Sequence, residues 1–193
     1  MRFTLLAVAA GLVIGLLTGG HTDHLASRSF RFWPLLALGL ALQAVSGRFP
    51  GDGGLVLLVA SYCVLVAFSA GNALRVGMWM VALGIGLNLL TIAVNGGMPV
   101  RPSAVVAAGI AEPGEVASLR IEGKRHLERP SDRLMAISDV IPVRPVREVL
   151  SFGYVIMAVG LADVIVHLLR PPPARAHAAA RPERRPAHSA SGR

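Results

Sequence analysis

Apolar and polar positions along this chain fall into long blocks, not short alternations. Charge-free runs lie between Arg2 and Asp23, Arg31 and Arg48, Asp52 and Arg75, and Arg75 and Arg101. A fifth run, Val149 to Leu169, is broken only by Asp163 and His167. A membrane-spanning helix needs about 20 mainly apolar residues. The blocks therefore predict five helices, near 3–19, 32–47, 54–74, 76–96 and 149–169, the second being the shortest. The expected class is an all-α integral membrane protein. It has a membrane domain over 1–170, one long extramembrane loop over 97–148, and a disordered basic tail over 171–193.

The first block has a basic start and an apolar core, but no small-x-small cleavage site ending in Ala follows it, so it is read as retained. Its small residues fall at Ala7, Gly11, Gly15 and Gly19, on one helix face. That spacing lets two membrane helices approach closely, so Gly11 and Gly15 are expected to meet a helix partner or a second copy.

In the fourth block Gly84, Asn88, Thr91 and Asn95 share a face. This polar stripe is either a hydrated, ligand-lined groove or a set of interhelical hydrogen bonds. It runs into Asn95-Gly96-Gly97-Met98-Pro99, where glycine can turn left-handed and Pro99 keeps the helix from resuming. In the fifth block Asp163 and His167 are helical neighbours, either marking a functional spot in the membrane or sitting among headgroups, paired with each other or with Arg170.

Composition supports lipid as the surroundings. Charged residues are 16% and hydrophobic ones 53% of 193 residues, where soluble domains carry about a quarter charged. The net charge of +8 resides in loops and tail, which suits anionic lipid headgroups better than nucleic acid. The lone Cys63 excludes an internal disulfide. Arg28, Arg31, Arg75 and the six tail arginines share one side, against Arg2, Arg48 and the eight basic residues of the long loop. Long loops translocate with little regard to charge, so the short loops and the tail set the expectation: N-terminus outside, C-terminus cytoplasmic.

Candidate chemistry is sparse. His21, Asp23 and His24 lack the further ligands that zinc wants, so no metal site is assigned. Walker, HExxH, GxSxG and dinucleotide motifs are absent, and no cofactor is read. Lys124, Arg125 and His126 together with Asp139 form a candidate anion-binding or acid–base cluster, set against a plain solvated turn.

Several pieces then line up: Trp33-Pro34-Leu35-Leu36, Asn95-Gly96-Gly97-Met98-Pro99-Val100, Lys124 to His126, and Ser138-Asp139-Val140-Ile141-Pro142 with Ser151 and Gly153 after it. In this order the chain resembles the bacterial membrane proteins grouped as domain of unknown function 5317, over most of residues 1–170. Arg125 stands between a lysine and a histidine that are usually adjacent in that family, and Tyr154 stands where it tends to have an acid. The resemblance implies a bacterial plasma-membrane protein and a shared site at the outer membrane face. That site would draw on Asn95, Gly96, Gly97, Met98, Pro99, Lys124, Arg125, His126, Asp139, Pro142 and Ser151. It supplies no activity.

Three function classes follow. One is binding of a small anion or lipid headgroup by Lys124, Arg125 and the Gly96 and Gly97 amides. Another is a membrane-embedded enzyme with His126 or Asp139 as acid or base and Lys124 holding an anion. The third is a structural protein assembling through its first helix.

Overall fold

The computed structural model describes residues 2–23, 30–119, 121 and 123–170. His24, Arg28 and the tail beyond Arg170, all invoked above, lie outside them. The apolar blocks form helices α1 (Arg2–Leu17), α2 (Trp33–Ser46), α3 (Gly51–Gly71) and α4 (Met78–Asn95). A short helix α5 (Pro102–Ala107) and a last long helix α6 (Phe152–Leu169) follow.

Three of these, α3, α4 and α6, are long and apolar enough to cross a membrane; α1 and α2 are apolar but shorter. At 1.5 Å per residue the 14 residues of α2 rise about 21 Å, less than the roughly 30 Å of a hydrocarbon core. Its limits are local. Pro34 sits in the first turn after a left-handed Phe32, and the Ser46 hydroxyl turns back to the Gln43 carbonyl before Gly47 and Pro50.

Neighbouring helices pack in the order α2–α3–α4–α6–α1. Small residues make the contacts close. Ser61 of α3 donates to the carbonyl of Gly39 in α2 at 2.8 Å. Between α4 and α6, Gly84 meets Gly153 and Gly77 meets Gly160, seven residues apart on each side. A Cβ built on Gly153 would lie 2.5 Å from Asn88 Oδ1, and one on Gly160 would lie 2.8 Å from Met80 Cβ. Gly11 and Gly15 face Ala162 and Leu169, so the small-residue face of α1 is covered by α6 of the same chain.

Helix α4 is apolar outside and buries Met78, Ile85 and Ile92 together with a polar stripe. Gly84, Asn88 and Thr91 are buried, while Trp79, Leu83, Leu90 and Val94 on the opposite side are exposed. A water-soluble helix would carry polar residues on such an exposed face.

The expectation of an all-α chain is corrected between α4 and α6. Among the described residues, four short strands run from the expected loop into the start of the expected fifth helix: β1 (Met98–Val100), β2 (Arg125–Leu127), β3 (Asp139–Val143) and β4 (Glu148–Ser151). They form one mixed sheet in the order β2-β1-β3-β4, with β1 parallel to β2 and β3, and β4 antiparallel to β3. Helix α5 and a 3-10 turn at Val116–Ser118 bury Val100, Ala104, Val105, Ala108, Val116 and Val149 in a small core of their own. The segment is thus a folded cap. Strand β4 takes the start of the expected fifth helix, and α6 begins only after Ser151, whose hydroxyl accepts the Tyr154 amide at 3.0 Å.

Candidate functional site

Strand β1 leaves α4 through Gly96 and Gly97, and β4 runs straight into α6, so the sheet is fastened to the ends of two long helices. Its inner corner reaches further in. The Ser151 hydroxyl donates to Asn88 Oδ1 at 2.7 Å, seven residues before the end of α4. Helix α6 therefore starts about 10 Å short of where α4 stops, and the sheet fills the step. Asp139 is the ladder neighbour of Ser151 in this corner.

Asp139 is buried, and Arg125 reaches it across β1 from β2. The guanidinium Nε donates to Asp139 Oδ2 at 2.8 Å and Nη2 contacts the same oxygen. Nη2 also donates to the Val149 carbonyl at 2.8 Å. Burial pushes the Asp139 carboxyl up to about 6, against the opposing pull of Arg125. The Arg125 side chain itself remains 41% exposed. The Tyr154 amide donates to Ser151, and the Tyr154 hydroxyl bonds Thr4 of α1. The corner is a polar cluster drawn from the sheet and from α1, α4 and α6.

The neighbouring residues of β2 point elsewhere. Lys124 Nζ donates to the Phe49 and Gly51 carbonyls, both at 3.0 Å, tying the cap to the α2–α3 connection. His126 Nε2 lies 3.1 Å from Asp132 Oδ2, which also accepts the Arg129 amide at 2.8 Å. Lys124, His126 and Asp139 thus have three separate partners and do not converge as one acid–base set.

The Asn-Gly-Gly stop is also occupied. Asn95 holds the Arg133 backbone, accepting its N–H at 2.7 Å and donating to its carbonyl at 2.9 Å. The Gly96 and Gly97 amides both donate to the Ile92 carbonyl, so the expectation that they are offered to a ligand is corrected. Gly97 has φ +153°, and a Cβ there would lie 3.0 Å from His126 Nδ1. Met98 and Pro99 are buried in β1, the Met98 amide donating to the Lys124 carbonyl at 2.8 Å. Pro142 is exposed on β3.

Asn88 belongs to the corner through Ser151. Asp163 and His167 do not, and pair with each other at 3.1 Å near the far end of α6. His21 also lies at that end, its amide donating to the Leu169 carbonyl. Asp132 and Thr4 were not singled out as site residues from the sequence, and Tyr154 only as a departure from the family's acid. The Pro130-Ser131-Asp132 turn was a signal for Asp132; nothing in the sequence joined Thr4 to the corner.

A family model described as a family of unknown function (DUF5317) matches residues 27–166, and the chain belongs to that family. No curated protein and no solved structure matches it.

Proposed function

We propose that this member of the family is an integral membrane protein that binds an anionic group, a small anion or a lipid headgroup, on Arg125 at the membrane boundary. One observation carries the reading. Among the described residues, the bonds of Arg125 run through Nε and Nη2 to Asp139 and Val149, and Nη1 keeps its two donors. A guanidinium fixed on one side and half exposed on the other is a preorganised anion receptor. Lys124 is a tie to the α2–α3 connection in this reading, so the receptor is narrower than the cluster of neighbouring charges suggests.

The membrane assignment rests on three helices of spanning length and on the apolar exposed face of α4. The N-terminus of α1 sits at the cap end, where the Phe3 amide donates to Glu148 at 3.4 Å. With the positive short loops at the other end, the cap and N-terminus lie outside and the C-terminus in the cytoplasm of a bacterium.

The test uses the full chain in phosphatidylcholine nanodiscs, titrated with inorganic phosphate and, separately, by exchanging phosphatidic acid into the disc. Binding of either, weakened about tenfold or more by Arg125→Gln, supports the reading; a charge-assisted hydrogen bond contributes about 1.5–3 kcal/mol. Binding by phosphate alone identifies a free anion, and by phosphatidic acid alone a headgroup. Equal binding by wild type and Arg125→Gln sinks it.

A further inference from the structure

The ends of α3 and α4 carry the same device. At the end of α3, Asn72 accepts the Arg31 amide at 3.0 Å and donates to the Arg31 carbonyl at 2.8 Å and the Phe68 carbonyl at 2.9 Å. At the end of α4, Asn95 accepts the Arg133 amide at 2.7 Å and donates to the Arg133 and Thr91 carbonyls, both at 2.9 Å. Each asparagine thus bonds its own helix four residues back and clasps both backbone groups of one arginine.

The residue after each arginine is apolar and left-handed: Phe32 at φ 59°, ψ 32° and Leu134 at φ 60°, ψ 30°. Each is the cap residue of the turn that follows, and each is exposed, 45% and 41%. Left-handed backbone is disfavoured for such side chains. Here the clasp on the preceding arginine holds it, and holds the side chain pointing outward.

The two clasps lie at opposite ends of α4. Asn72 belongs to the turn that leads into it and Asn95 is its last residue, with 18 helical residues, about 27 Å, between the two levels. That matches a hydrocarbon core of about 30 Å. The exposed apolar face of α4 joins them. Leu90 and Val94 are exposed in its last turns and Trp79 in its first, while Phe32, Trp33, Leu74 and Val76 are exposed apolar residues near the Asn72 clasp in sequence. Exposed tryptophans beside arginines are characteristic of a membrane interface.

We infer that Arg31-Phe32 and Arg133-Leu134 are paired docking points for phospholipid, one on each membrane surface. In each the apolar side chain enters the acyl region and the arginine meets the phosphates. The Arg31 guanidinium lies 4.6 Å from the centroid of the Phe32 ring, so charge and apolar body already sit together at one clasp. The inference rests on the membrane reading above and adds which residues meet the lipid surface, and at what separation.

Nitroxide labels at Phe32→Cys, Leu134→Cys, Leu90→Cys and Arg144→Cys in a Cys63→Ala chain test it. The protein is reconstituted in phosphatidylcholine–phosphatidylglycerol vesicles, and collision with oxygen is compared with collision with a water-soluble nickel chelate. Labels at 32 and 134 are expected to favour oxygen several-fold over the label at 144. A nickel-rich, water-like response at 32 or 134, with 90 still lipid-like, overturns the inference alone. A water-like response at 90 overturns the membrane reading itself. Adding Asn95→Leu is expected to move the label at 134 towards water and leave 32 unchanged; no movement at 134 counts against the clasp.

Discussion

The Ser151 hydroxyl donates a hydrogen bond to Asn88 Oδ1 and accepts one from the Tyr154 amide, so one side chain both starts α6 and fixes it to α4. Removing it breaks two bonds. Ser151→Ala is expected to lose about 1 kcal/mol from the cap and a similar amount from the interhelical bond. A double-mutant cycle with Asn88→Ala, followed by unfolding in bicelles, should give a coupling of about 0.6–1.7 kcal/mol. Strict additivity would mean that the two side chains act independently.

The α4–α6 crossing is set by glycines that have no room to grow. Gly153→Ala would put a methyl 2.5 Å from Asn88 Oδ1 and 2.6 Å from the Gly84 carbonyl. Forcing the helices apart should lose about 1–3 kcal/mol. Gly86, on the same α4, has open space at its Cβ. There alanine is expected to be neutral or to add about 0.5–1 kcal/mol through helix propensity. Matched midpoints for the two variants would contradict the packing.

Asp139 makes stability depend on pH in the direction opposite to a favourably paired carboxylate. Its folded value of about 6 lies above the ordinary 3.8, so between these limits the native state holds more protons than the unfolded one. This contribution is fully present below about pH 4 and is lost as pH rises through 6. The whole change is on the order of 3 kcal/mol. Thermal midpoints in detergent from pH 4.5 to 7.5 measure it, and Asp139→Asn should flatten that part of the profile. A profile that is the same in the variant would assign the slope to another group.

Lys124→Met should loosen the α2–α3 connection rather than the receptor on Arg125. Its two bonds lead to the Phe49 and Gly51 carbonyls, and their loss is expected to destabilise by about 1.5 kcal/mol. Faster amide exchange over 49–54 with unchanged phosphate or headgroup binding is the expected pattern. Lost binding with unchanged exchange would make Lys124 a ligand contact instead.

How far the chain could be read in advance follows from the kind of signal each part carries. Helices announce themselves through long charge-free runs, and α3, α4 and α6 were legible in that way, as was the stop at Asn95-Gly96-Gly97. The sheet was not. Its strands are three to five residues long, and its two interior strands contain Pro99 and Pro142, residues that argue against interior strands. They are tolerated because the ladder is short and the cap has its own small core.

The polar stripe of α4 was visible as a face, but its partners were not. Ser151 lies 63 residues from Asn88, and Arg133 lies 38 from Asn95. The cluster at 124–126 was likewise visible as charge, whereas its division among three partners depends on which way each side chain leaves a three-residue strand and the residue before it.

That division has a mechanical consequence. Strand β2 is an edge strand joined to β1 over three residue pairs, too few to hold it firmly by ladder alone. Its seat comes from Lys124 gripping the α2–α3 connection, Arg125 gripping β3 and β4, and His126 gripping Asp132. The strand works as a yoke. Lys124 and Arg125 are adjacent on the backbone, so one short strand end fastens the sheet corner and the turn at Phe49 and Gly51 at once.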